Sequence, residues 1–228
     1  MKLIATFVVC LACASTLSWA TSPVLPNTCL NTGPTRECIH QTSEPLPAPM
    51  PGPAPSAGLR PLRPPISSDN LLLNGSFEEP MLAAGSWDVF QAVPGWVAVD
   101  GPGIEIQRGA AGRAQHGQQL VELDSHGNSA MVQAVAVQPG ASYALRFWTM
   151  ARPGTSPTTN GLDVFVNDTR VQRVRHAPSA TAQFTEVQLR WTAGPGVQQA
   201  VLRFEASGCS DGLGSYLDAV SWRQVSRD

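Results

Sequence analysis

From Asp69 onward the chain alternates between short apolar runs and breaks, with a Gly, Pro, Asn or Asp interrupting about every 8–15 residues. No window of useful length carries the 3.6-residue period of an amphipathic helix. That pattern predicts short strands with tight connections: 71–77, 96–99, 103–108, 119–124, 130–137, 142–151, 161–167, 170–175, 184–191, 200–206 and 216–225. Many short strands spaced by turns predict an all-β antiparallel sandwich over residues 68–228. A domain of about 160 residues buries enough surface to stand without disulfide staples.

The first 67 residues have a different texture. Lys2 precedes an apolar stretch from Leu3 to Leu17, and Ser18-Trp19-Ala20 is a small-x-small sequence. This predicts a signal peptide over 1–20, cleaved near Ala20, and so a secreted, periplasmic or cell-surface protein. The stretch is too short to span a bilayer, and no other segment comes close. A less favoured alternative is lipidation at Cys13, since Cys10-Leu11-Ala12-Cys13 loosely resembles a bacterial lipobox. Residues 21–67 hold twelve of the 20 prolines, with Pro45, Pro47, Pro49, Pro51, Pro53 and Pro55 at alternate positions. Such a run favours extended polyproline II and predicts a disordered linker or stalk.

Charge and cysteines narrow the function classes. Lys2 is the only lysine, and without it the net charge is about −3 from a formal −2. Arg170, Arg173 and Arg175 form the only cationic cluster, too sparse for a nucleic-acid stripe. Beyond the leader lie Cys29, Cys38 and Cys209. In an oxidising compartment Cys29 and Cys38 are expected to close a small loop; the alternative is that Cys209 pairs with one of them. No Cys-x-x-Cys pair or Cys/His cluster points to zinc or redox chemistry.

Alternation also sorts faces. In 142–151, Tyr143, Leu145, Phe147 and Thr149 point one way, and Arg146, Trp148 and Met150 the other. In 184–191, Val187, Leu189 and Trp191 oppose Gln188 and Arg190; in 200–206, Leu202 and Phe204 oppose Arg203 and Glu205. If the three strands are neighbours, Arg146, Trp148, Gln188, Arg190, Arg203 and Glu205 make one polar surface with an aromatic in it. Glu105, Glu122 and Asp124 could suggest paired carboxylates. Glu122 and Asp124, two apart on a strand, would lie about 7 Å apart on one face, but acids alternating on an exposed strand are commonly there for solubility, and no catalytic residues are assigned.

Asn74-Gly75-Ser76-Phe77-Glu78, Pro94-Gly95-Trp96, His116-Gly117-Gln118-Gln119 and Tyr216-Leu217-Asp218-Ala219-Val220 together resemble galactose-binding-like jelly-roll domains. These include bacterial carbohydrate-binding modules and a plant cell-wall family known as domain of unknown function 642. The resemblance covers 69–225. It implies a jelly roll that binds an extracellular or cell-wall polysaccharide without catalysis. The rival expectations are an adhesive protein binding cell-surface proteins and, third, a glycoside-active enzyme. It also implies a structural calcium (Ca2+) held by the Ser76 carbonyl, the Glu78 and Asp218 carboxylates and a Gln119 carbonyl. His116 stands where related modules can place an acidic ligand. For sugar contact, the Trp148 face offers a flat apolar ring beside planar polar groups, and Trp87 and Phe90 offer a second platform.

Overall fold

The computed structural model describes residues 70–176 and 183–226, together with the backbone of 29–30 and 37–38. The leader, Cys13 and the proline-rich segment lie outside the described residues. Strands β1 (Cys29–Leu30) and β2 (Glu37–Cys38) pair antiparallel with Cys29 opposite Cys38. Cys209 is buried and disulfide-bonded. Its partner is outside the described residues, as are the side chains of the expected Cys29–Cys38 bridge.

Twelve further strands follow: β3 (Ser86–Phe90), β4 (Ala92–Val93), β5 (Trp96–Asp100), β6 (Ile104–Arg108), β7 (Leu120–Glu122), β8 (Ala130–Ala136), β9 (Ser142–Met150), β10 (Gly161–Val166), β11 (Thr169–Arg175), β12 (Thr185–Thr192), β13 (Gln199–Ala206) and β14 (Tyr216–Val225). They form two six-stranded antiparallel sheets, ordered β12-β9-β14-β7-β6-β3 and β11-β10-β13-β8-β5-β4. This is the antiparallel all-β sandwich expected from the turn spacing, in the jelly-roll form that the resemblance implies. Among the described residues no helix is long and apolar enough to cross a membrane.

The alternating side chains of both inner faces meet in one core. Ile104, Ile106, Val121, Leu145, Phe147 and Trp222 from the first sheet pack against Trp96, Met131, Leu162, Val164, Leu202 and Phe204 from the second. Phe147 and Phe204 cross between the sheets edge to face, 5.3 Å between centroids, and Tyr143 stacks on Trp222 at 5.3 Å. Such geometries add about 0.5–1.5 kcal/mol per pair beyond area burial. Trp96 and Trp222 are fully buried, as expected of core residues, and Trp191 packs half-buried at the margin. The β10–β11 hairpin turns on Asn167 and Asp168, both with positive φ (48° and 62°), which suits a tight two-residue turn.

The segment 71–77, expected as the opening strand, is not a ladder strand. Asn74 (φ 47°) and Phe77 (φ 55°) are left-handed, which breaks the extended run. Its polar groups are satisfied by both sheets instead. Leu71 N–H donates to Trp222 C=O of β14 (2.9 Å), and the Gln133 side chain of β8 bonds both backbone groups of Leu73 (2.8 and 3.0 Å). A β-bulge in β14 between Asp218 and Ser221 frees Val220 from the ladder. Val220 N–H then donates to Gly75 C=O at 2.7 Å, and its carbonyl accepts from the Asn70 amide at 2.9 Å. The Asn-Gly-Ser-Phe sequence is therefore a staple: the left-handed Asn74 turns it, Gly75 lets the backbone close on Val220, and Phe77 is driven into the core at 5.7 Å from Trp96. Strands β3 and β4 were not expected; five and two residues long, they sit at the sheet edges.

Candidate functional site

The outer face of the first sheet gathers most of the chemistry the sequence singled out. Strand pairing sets its rows. Trp148 of β9 stands between Glu186 of β12 and Asp218 of β14. The next row is Gln188–Arg146–Ser221, and the one beyond it Arg190–Ala144–Arg223. In the other direction, Met150 pairs with Tyr216, Tyr216 with Glu122, and Glu122 with Glu105. Arg146, Gln188, Arg190 and Arg223 are exposed, while Trp148 is half-buried. Four of the six expected binding residues thus share one surface.

Arg203 and Glu205 do not belong to it. Their strand, β13, lies in the opposite sheet between β10 and β8. On that sheet's outer side Arg203 pairs with Glu205 (3.1 Å) and covers the Phe165 ring at 3.9 Å. Alternation assigns a side chain to a face of its own sheet but says nothing about which sheet the strand joins, and the expectation failed there. Nearby, Arg173 makes a two-point contact with Asp163 (2.7 and 2.5 Å), so the cationic cluster is partly neutralised.

A groove of about 730 Å³ opens on the first sheet's outer face, lined by Gly112, Arg113, Gln115, Met150, Pro153 and Phe184 among others. A second of about 480 Å³ lies on the other side of Arg113 and Ala114, against Gly85, Arg108 and Gln118. The segment 109–119 separates them. Gly112 rests on the Tyr216 ring, and a small apolar cluster of Leu120, Met150, Tyr216 and Phe184 supports it. No strand was expected over 109–118, so nothing in the pattern pointed to a groove there.

Two carboxylates fix that segment. Asp218 Oδ2 accepts the N–H groups of Gln115 and His116, each at 2.8 Å, and Oδ1 accepts Ala219 N–H at 2.5 Å. Glu78 Oε1 accepts those of Gln118 (2.8 Å) and Gln119 (3.0 Å). Gln119 Oε1 accepts Leu82 N–H, and its amide donates to the Phe77 and Pro80 carbonyls. Calcium needs six to eight oxygens turned toward one centre. The Glu78 and Asp218 carboxylate oxygens and the Gln119 side-chain oxygen instead point at N–H hydrogens. Among the described residues no group of three or more His, Cys, Asp or Glu could hold a metal ion. The expected set does not fit calcium as arranged. Adding calcium or EDTA is expected to leave the melting temperature unchanged; a rise with calcium that EDTA reverses would show that these N–H bonds give way to the ion.

Glu105, Glu122 and Asp124 are not the solvated acids expected on an exposed strand: they are 5%, 0% and 0% exposed. Arg152 Nη1 donates to both Glu122 oxygens (2.8 and 2.7 Å), and Gly214 N–H donates to Oε1 at 2.8 Å. The Gln107 amide bridges Glu105 (2.8 Å) and Glu122. Asp124 accepts the N–H groups of Asp211 and Gly212 at 3.0 and 3.3 Å. Burial dominates their titration. It pushes Glu122 up to about 7 against the pull of Arg152, and raises Glu105 beside it. Burial likewise lifts Asp124 and Asp218 to about 6, and it raises Tyr216, with help from the Glu122 charge. Arg152 is the residue that sequence reading missed, since its partner is thirty positions away.

Trp87 is a strand residue of β3, not a loop residue. It is 49% exposed and meets His126 edge-on at 5.7 Å. Phe90 turns inward against the core.

No family model matches this chain, and no curated protein matches it. Solved structures do. A cyclase from Fischerella sp. TAU is similar at a TM-score of 0.51 and 17% identity, covering 68% of this chain and 95% of that one. The module TmCBM61 in complex with β-1,4-galactotriose gives 0.46 and 15%, covering 69% and 100%. A family 16 carbohydrate-binding module gives 0.43 and 21%, covering 67% and 99%. At these identities the likeness is one of fold.

Proposed function

We propose that this chain is an exported, non-catalytic module that binds an extracellular polysaccharide on the outer face of the β12-β9-β14-β7-β6-β3 sheet. The observation that carries the reading is the row geometry around Trp148. A half-buried indole is fixed between polar neighbours on both sides, two positions along β9 from Met150, which lines the larger groove. A sugar ring lays its C–H face on such an aromatic and uses planar amides and guanidinium groups for its hydroxyls. The acids that would serve glycoside hydrolysis are instead held by Arg152 and by backbone N–H groups beneath the surface, which supports binding over turnover. Export rests on the leader-like first twenty residues.

Glycan arrays and polysaccharide pull-downs with the full chain test the reading directly. Trp148→Ala is expected to weaken binding about tenfold, in the range of a hot-spot aromatic. Unchanged affinity would move the site along the sheet, toward Trp87 and His126 at its β3 edge. Absence of binding to any polysaccharide would defeat the reading.

A further inference from the structure

We infer that the glycan is held as one linear chain laid across the strands, from Trp148 over the 110–114 segment to Trp87 and His126, so that full affinity needs a chain long enough to span both aromatics. The inference rests on the glycan-binding reading above and adds a second subsite and a minimum ligand length. Strand pairing puts the two indoles on one row of the same sheet face. Trp148 pairs with Asp218 of β14. Leu217 pairs with Val121, which brings Asp218 beside Leu120 of β7. Leu120 pairs with Gln107 of β6, and Gln107 with Trp87 of β3. Trp87 faces outward with Gln107, because Phe90, three places on, turns into the core with Ile104. Trp148 and Trp87 are therefore four strand spacings apart, about 19 Å along the sheet. Trp96 and Trp222 fill the core and Trp191 packs against it. Among the described residues, Trp87 and Trp148 are the two tryptophans presented on this face.

What lies between them is a low saddle. The two grooves share Gly109, Arg113 and Ala114 as a common wall. That wall is the run Gly109-Ala110-Ala111-Gly112-Arg113-Ala114, in which Arg113 is the one long side chain. Gly112 rests directly on the Tyr216 ring with no room for a Cβ, so the backbone crosses close against the sheet. The Asp218 and Glu78 carboxylates hold the downstream end of the segment through four backbone N–H groups. A saddle fixed in this way spares the ligand the cost of ordering it. Beyond it the second groove opens against Ala84, Gly85 and Arg108, and Gly85 is two residues from Trp87. Trp87 and His126 are both exposed and stand beside each other, offering an aromatic surface and an imidazole that hydrogen-bonds hydroxyls. One sugar ring cannot reach from Trp148 to this pair, whereas several linked rings can. Once a chain is held at Trp148, its contact with Trp87 is intramolecular and gains from a high effective concentration.

The test is calorimetric titration of the full chain with cello-, xylo-, manno-, β-1,4-galacto- and α-1,4-galacturono-oligosaccharides of two, four, six and eight rings, beside their parent polysaccharides. In the series that binds, affinity is expected to rise about hundredfold from two rings to six and to level off by eight. Trp87→Ala is expected to lower the eight-ring to two-ring affinity ratio about tenfold, the scale of a hot-spot aromatic. Ala111→Tyr, which raises the saddle at an exposed position, should lower the same ratio. A melting curve shows whether each variant is folded, and His126→Ala, at an exposed position, reads the same subsite if Trp87→Ala is not. An affinity already level at two rings, or a ratio unchanged in the folded Trp87 or His126 variant, would overturn the inference. Binding of a parent polysaccharide with none of its oligomers would place the contacts beyond this span and overturn it too. Binding of no oligomer and no polysaccharide would defeat the glycan reading itself, and this inference with it.

Discussion

Arg152→Ala is expected to lower the unfolding free energy by about 3 kcal/mol at pH 8, the scale for stripping one partner from a buried ion pair, and by much less at pH 5. Glu122 is fully buried, and among the described residues Arg152 is its one cationic hydrogen-bond donor. At pH 8 the variant must keep an uncompensated carboxylate in the interior or protonate it against the solution. At pH 5 the proton is readily available and the penalty shrinks. The wild-type chain should show a gentler form of the same trend. Glu122, Asp124 and Asp218 carry pKa values raised to about 7, 6 and 6. The folded state therefore holds protons that the unfolded state has already released. Their stabilising effect is full below the unfolded carboxylate values and is lost as pH rises through 6 to 7. Stability should fall from pH 5 to pH 8. Urea unfolding at four pH values measures both effects, and adding Glu122→Gln should recover most of the Arg152→Ala loss at pH 8. An Arg152→Ala loss equal at pH 5 and pH 8 would show that packing, not the buried charge, is what Arg152 supplies.

Gly75→Ala is expected to cost about 3 kcal/mol, at the upper end for overpacking. A Cβ there would run into the Val220 carbonyl oxygen, a backbone atom fixed in the β14 bulge. Relief requires lifting the 70–77 segment from both sheets, which loosens Phe77 from Trp96. By contrast Gly85→Ala meets no atom within 4 Å, although its φ of 77° brings a modest backbone strain. Thermal melts of the two variants should differ by several degrees.

These two positions mark what the sequence could and could not show. The strands of the core were legible because their inward residues alternate without a break, as in Tyr143, Leu145 and Phe147. The same alternation correctly put Arg146, Trp148, Gln188 and Arg190 outside on one surface. It could not show that β13 enters the other sheet, because a polar-out strand reads alike in either layer, and Arg203 and Glu205 were misplaced for that reason. Segment 71–77 looked like a strand because the short apolar run Leu71-Leu72-Leu73 is followed by an Asn-Gly break and Phe77. Left-handed Asn74 and Phe77 are set by contacts with both sheets, which no local pattern reveals. The acids of β6 and β7 read as solvated because nothing near them in sequence announces Arg152 and the Gly214 amide, which arrive from 30 and 92 positions away. Cys209, whose pairing the sequence left open, is disulfide-bonded, and the expected Cys29–Cys38 bridge lies outside the described residues.

The central claim is that the β12-β9-β14 outer face binds glycan. Amide chemical-shift mapping of the isotope-labelled chain, titrated with oligosaccharides that bind in the glycan array, tests it most directly. The predicted result is saturable shifts concentrated in 109–115, 144–150, 186–190 and 218–223. Shifts confined to the Trp87 and His126 end, or to the Arg203 side of the other sheet, would contradict it.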